Sequence, residues 1–193
     1  MNRFAKGAIA GAAGILLLLS GAGTFALWNG SASAAAGSVQ SGTMTIAADA
    51  AAGTWSVTHG SGSATAIPNI ANFRAVPGDV LTFTQKVDVT ATGDNLSAVL
   101  SIDPMSIKAG DASPASAALV TALTSGMTVV VGAPLPTGVT AGSAANTYTV
   151  SGTTGTKVLT VSVALPFDST TTGTVAQGGT VDLSALGFKL AQQ

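Results

Sequence analysis

From residue 39 onward, apolar and polar side chains alternate in short runs, the two-residue period that turns one face of a β-strand toward a core. The clearest runs are Val39–Ile46, Thr54–His59 and Val80–Val89. They continue with Leu96–Ile102, Met127–Val131, Thr147–Val150, Lys157–Leu165 and Val181–Leu190. In Lys157–Leu165 the odd positions Leu159, Val161, Val163 and Leu165 share one face and are expected in the core. Threonine and valine fill the runs, as suits half-buried pleats. Turn chemistry separates them: Pro77-Gly78-Asp79, Thr92-Gly93-Asp94-Asn95, Pro136-Thr137-Gly138, Ser151-Gly152 and Gln177-Gly178-Gly179. One stretch has a helical period. Ser113 and Pro114 form an N-cap and first-turn pair, and Ala117, Ala118, Leu119, Ala122 and Leu123 follow at helical spacing, which predicts a helix over 114–124. Many short strands with one short helix predict an all-β antiparallel sandwich.

The first residues have a different pattern. Arg3 and Lys6 precede an uncharged stretch, Gly7–Leu19, that ends in Ile15 and four leucines. A positive start followed by a short apolar run reads as a secretory signal peptide spanning residues 1–26. The small side chains of Thr24 and Ala26 place cleavage before Leu27; Ala34–Ala36 offers a second site, and an uncut anchor from Gly7 through Trp28 is the alternative. Residues 27–38 hold few large side chains after Leu27 and Trp28 and are expected to form a flexible arm. Residues 39–193 then make one domain of ordinary size.

Composition narrows the function. Charged residues are only 8 % of the chain, and every acidic residue is an aspartate. Cleavage would leave five cations, Arg74, Lys86, Lys108, Lys157 and Lys189, against eight aspartates, a net charge near −3. That excludes a basic face for nucleic acid or anionic lipid, so membrane contact is expected only through the uncleaved signal. Without cysteine there is neither a disulfide nor a site for lipid attachment.

Catalytic and metal motifs are sparse. His59, the one histidine, ends a run and has no HExxH helix around it, and no G-x-S-x-G elbow accompanies the many serines. It is expected as an exposed strand residue. Asp79, Asp88, Asp94, Asp103, Asp111 and Asp168 lack the spacing of a calcium loop, and Asp79 and Asp94 are expected to cap turns. Gly60-Ser61-Gly62 has neither the helix nor the lysine of a phosphate cradle. Leu135-Pro136-Thr137-Gly138 lacks the residue between proline and threonine, and the hydrophobic tail, of a sortase signal. Trp28, Trp55 and Phe83 are too far apart in sequence for a sugar platform and fit a core or interface better. No catalytic residue, cofactor or metal is expected.

Four segments together resemble the TasA/camelysin family of exported proteins, which are processed by an alternate, SipW-type signal peptidase. They are Gly21-Ala22-Gly23-Thr24-Phe25-Ala26-Leu27-Trp28-Asn29, Ser41-Gly42-Thr43-Met44-Thr45-Ile46, Val76-Pro77-Gly78-Asp79 with Phe83, and the closing run Val181–Leu190. The resemblance covers the N-terminal half and the last run; the middle, including the helix, matches no family motif. It implies cleavage after Ala26, a Pro77-Gly78-Asp79 turn leading into a long strand, and a jelly-roll-like sandwich. It also implies a secreted cell-surface or biofilm-matrix protein that is not an enzyme and self-assembles into fibres, the arm of one subunit (Leu27, Trp28 and Asn29 as anchors) completing the sheet of the next. Camelysins were named for protease activity, so a surface protease is the alternative, with a monomeric surface binding module as a third.

Overall fold

The computed structural model describes residues 2, 4, 7, 8, 10–13, 37–103, 106–152 and 155–193. Its contacts divide the chain into two units, Met1–Val39 and Gln40–Gln193. In the first, Phe4, Gly7, Ala8 and residues 10–13 take helical backbone. No helix among the described residues is long and apolar enough to cross a membrane. The proposed cleavage residues Thr24, Ala26 and Leu27, and the anchors Trp28 and Asn29, lie outside the described residues.

The second unit is the expected all-β antiparallel sandwich with one short helix. The larger sheet is built on two long strands, β4 (Asp79–Thr92) and β10 (Thr156–Pro166), which pair along their length from Thr156 opposite Thr90 to Pro166 opposite Val80. β7 (Thr128–Val131) flanks β10. On the other side of β4 lie β1 (Thr43–Ala48) against Val87–Thr92 and β2 (Thr54–His59) against Asp79–Thr84. Both run in the same direction, so β1 and β2 form one interrupted strand. β3 (Thr65–Ile67) covers the outer side of β2. The facing sheet has the order β12-β5-β9-β8, with β5 at Ser97–Ile102, β8 at Val139–Ala141, β9 at Tyr148–Ser151 and β12 at Phe188–Gln192. β6 (Lys108–Ala109) and β11 (Val181–Asp182) make a separate short ribbon.

The alternation read from the sequence sets the core. Leu159, Val161, Val163 and Leu165 are buried to within 1 % of complete, with Leu81, Val87 and Val89 of β4 beside them. Leu100, Ile102, Val139 and Val150 close the core from the other sheet. Helix α1 (Pro114–Thr124) begins where expected: Ser113 Oγ accepts from Ser116 N at 3.1 Å, and Leu123 reaches the core.

The interruption between β1 and β2 has its own support. Residues 49–53 loop out opposite Gln85, whose buried side-chain amide donates to the carbonyls of Ala51 at 2.9 Å, Lys86 at 3.0 Å and Asp49 at 3.4 Å. One polar side chain thus bonds the carbonyls of the looped-out Asp49 and Ala51 and adds a second donor to Lys86 O, which already accepts from Asp49 N. Gly53 is needed there, because a Cβ would collide with the Phe83 ring.

Two sequence expectations are corrected. The run Val181–Leu190 is not one strand: β11 ends at Asp182, and β12 begins at Phe188 in a different sheet. Between them Ser184 N and Oγ donate to Asp182 Oδ1, at 2.9 and 2.6 Å, and Leu186 N donates to Leu183 O, so the chain turns. The run beginning at Val39 becomes a strand only at Thr43, and Val39 is 98 % exposed.

Candidate functional site

A strand edge whose outward amides lack partners is a template for another chain, and the two sides of the larger sheet differ in this respect. On one side, β7 is plugged. Antiparallel pairing points alternate amides away from β10, and those of Val129 and Val131 are both taken: Val129 N donates to Asn146 Oδ1 at 2.8 Å and Val131 N to the Tyr148 hydroxyl at 2.9 Å. Asn146 Nδ2 also donates to Met127 O at 2.8 Å, so its side chain bonds β7 as a neighbouring strand would. Asn146 sits at φ 62°, a left-handed conformation that asparagine tolerates better than most residues. Removing the guards with Asn146→Ala and Tyr148→Phe is expected to cost about 1–3 kcal/mol in total and to raise light scattering on standing. An unchanged melting temperature and clear solutions would mean the edge needs no guard.

The other side differs at its two ends. β2 is covered by β3, but among the described residues β1 has one strand partner, β4. Thr43 N donates to Thr92 Oγ1 and Asp49 N to Lys86 O, so odd-numbered amides face β4. The alternation turns the amides of Met44, Ile46 and Ala48 outward. Beside this edge a hollow of about 190 Å³ opens between the sheets, lined by Ile46–Ala48, Leu186–Phe188, Phe83 and Val87 and by the side chain of Gln85. The edge and this largely apolar hollow coincide where a further strand in line with β3 would extend the sheet.

The Pro77-Gly78-Asp79 turn leads directly into β4, the longest strand. Asp79 is 5 % exposed, and its Oδ2 accepts from Val76 N at 2.8 Å, the capping role expected of it. Gly78 has φ 96° and lies under the His59 ring, where a Cβ would be 3.2 Å from the ring carbon Cε1. His59 Nδ1–H donates to Asp79 Oδ1 at 2.8 Å while its side chain stays 66 % exposed. Gly78 N donates to Phe167 O, and Phe167 N to Asp79 O, so the turn locks β2, β4 and the end of β10 together. Sequence reading placed His59 at the surface without its carboxylate partner; the register His59 opposite Asp79 supplies that. Among the described residues no hydroxyl hydrogen-bonds to His59 Nε2.

Other candidates also serve turns. Asp168 and Asp182 accept from Thr170 and Ser184 two residues on, and those bonds pull both carboxyls below the usual carboxylate range. The neighbouring Ser113 hydroxyl first, then the Ser116 hydroxyl and the Ser113 amide, which donates to Oδ1 at 2.9 Å, hold Asp111 down at about 2. The turn at Gly93 closes by Leu96 N donating to Gly93 O, a backbone bond in the place expected of Asp94. Among the described residues no three metal-ligating side chains form a group. Trp55 and Phe83 stack with centroids 5.0 Å apart and pack on the core. No protein-family model, curated protein or solved structure matches this chain.

Proposed function

We propose that this chain is a secreted, non-catalytic structural protein of the cell surface or extracellular matrix, whose N-terminal arm adds as a strand to β1 of a second copy. The observation that carries this reading is the contrast between the two edges: β7 is guarded by Asn146 and Tyr148, while among the described residues the outward amides of β1 have no strand partner and lie beside a largely apolar hollow. Small side chains between Asn29 and Gly37 suit close backbone pairing, and Leu27 and Trp28 are the anchors that would fill apolar space. The resemblance to the TasA/camelysin family supports the same reading, with signal peptidase acting before Leu27 to free the arm.

The test compares chains beginning at Leu27 and at Gly37 by sedimentation velocity and electron microscopy. The longer chain is expected to form fibres and the shorter to remain monomeric. If both stay monomeric, or both polymerise alike, arm-mediated assembly is wrong. A second reading, a camelysin-like protease, draws on the His59–Asp79 couple, since a buried aspartate orienting a histidine supplies two of the three members of a hydrolytic triad. Peptide cleavage lost in His59→Ala would favour it.

A further inference from the structure

Away from the β1 edge, the domain contains a larger hollow of about 640 Å³. It lies between α1, the segment from Ile70 to Pro77 that enters β4, and the loop from Phe167 to Leu183. Its floor is the core itself: Leu81, Leu123 and Phe167 are 3 %, 2 % and 6 % exposed. Phe73 of the incoming segment and Leu119 of α1 wall it, both only partly buried. The volume falls within the range of small-molecule sites, which are typically concave and apolar with a few polar groups that fix orientation.

Among the described residues one charge lines this space, that of Arg74. Its Nη1 donates to Phe73 O at 3.2 Å, and among the described residues no carboxylate pairs with it. A guanidinium carries five N–H donors in a planar fork that matches a carboxylate. The chain carries more acidic than basic residues, yet no aspartate lines the hollow. Among the described residues Arg74 is unpaired and is the one charge on a cavity whose lining is otherwise apolar apart from Thr171, Gln177, Thr180 and backbone, and such a cavity suits a single apolar chain that ends in an anion.

We propose that this hollow binds a single-chain amphiphile with a carboxylate head, the chain lying over Leu81, Leu123 and Phe167 and the head meeting Arg74. The site does not depend on the assembly reading, since it shares neither β1 nor the arm. It would make the protein a carrier or sensor of a fatty carboxylate.

The test is titration calorimetry on the purified full chain with dodecanoate below its micelle concentration, beside dodecanol and dodecyltrimethylammonium as neutral and cationic probes of the same chain length. Dodecanoate is expected to bind one to one. Arg74→Gln, a change at an exposed side chain, is expected to weaken it about tenfold, the size of one lost charge-assisted pair. Dodecanol on the unaltered protein should match dodecanoate on Arg74→Gln, and the cationic probe should be weaker still. Ala71→Trp, at an exposed lining position, is expected to block all three by filling the hollow. The proposal is overturned if dodecanoate does not bind, if dodecanol binds as tightly as dodecanoate, or if Arg74→Gln leaves affinity unchanged. Binding that survives Ala71→Trp would place the amphiphile elsewhere, on the apolar stretch Gly7–Leu19 for example, and would equally overturn it.

Discussion

A chain carrying Ala48→Pro is expected to keep its sandwich and lose assembly, while Ala47→Pro, one residue away, damages the sandwich itself. The difference lies in where each amide points. Asp49 N donates to Lys86 O, so two-residue alternation directs the Ala47 amide to β4, opposite Asp88, and the Ala48 amide outward. Proline removes an N–H, and edge strands tolerate it only where that N–H faces away from the ladder. Ala48→Pro should therefore cost within about 1 kcal/mol, because both side chains are small and the position is exposed. Ala47→Pro breaks a ladder bond and strands the Asp88 carbonyl, for about 1–3 kcal/mol. For assembly the order reverses in importance: the incoming strand needs the outward amides of Met44, Ile46 and Ala48, and losing one with a proline ring in its path should stop fibre growth. Thermal unfolding reads the first effect and sedimentation velocity the second. Fibres formed as readily by Ala48→Pro as by the parent chain would remove β1 as the receiving edge.

Much of this fold is legible because long strands express their period many times. β4 and β10 repeat the apolar alternation often enough to fix their inner faces, and β2 and α1 begin and end where turn or cap residues announce it: His59 before Gly60, Ser113 before Pro114. β3, β6 and β8 have two or three residues each, too few to display a period, and they exist because neighbours offer an edge. The closing run misleads for a reason visible in retrospect. Its apolar residues occupy odd positions at Val181 and Leu183 and even positions at Leu186, Phe188 and Leu190. One continuous strand would turn half of them to solvent, so the phase slip marks a break.

The candidate site divides along the same line. Gly42, in the segment Ser41–Ile46, has a local reason: a Cβ there would run into the Thr92 carbonyl oxygen where β1 meets the end of β4, so glycine sets the start of the strand. The Pro77-Gly78-Asp79 turn is likewise readable, since its positive φ and its capping carboxylate belong to local chemistry. Which edge is closed is not readable. Asn146 and Tyr148 reach Val129 and Val131 across 17 residues of sequence, and nothing in either segment alone distinguishes a plug from an ordinary loop asparagine and strand tyrosine. That β1 has no second strand partner among the described residues emerges only from knowing that β3 stops short of it.

The largest stability effect is expected within β10, between two adjacent aliphatic residues. Leu159 is 1 % exposed and packs in the core shared by both sheets, whereas Val158 is 54 % exposed on the outer face. Leu159→Ala removes buried methyl groups and leaves a cavity that a close-packed interior only partly fills, costing about 2–5 kcal/mol. Val158→Ala loses little contact and should remain within about 0.5 kcal/mol of the parent. For a domain of this size, each kcal/mol shifts the melting temperature by roughly 2–4 °C, so thermal unfolding separates the two variants. The comparison tests register as well as burial. Slipping β10 by one residue would exchange the two faces, bringing Val158 inward and turning Leu159, Val161, Val163 and Leu165 to water. Equal effects from the two substitutions, or a larger one at Val158, would refute the pairing of Leu159 with Val87 on which the sandwich is built.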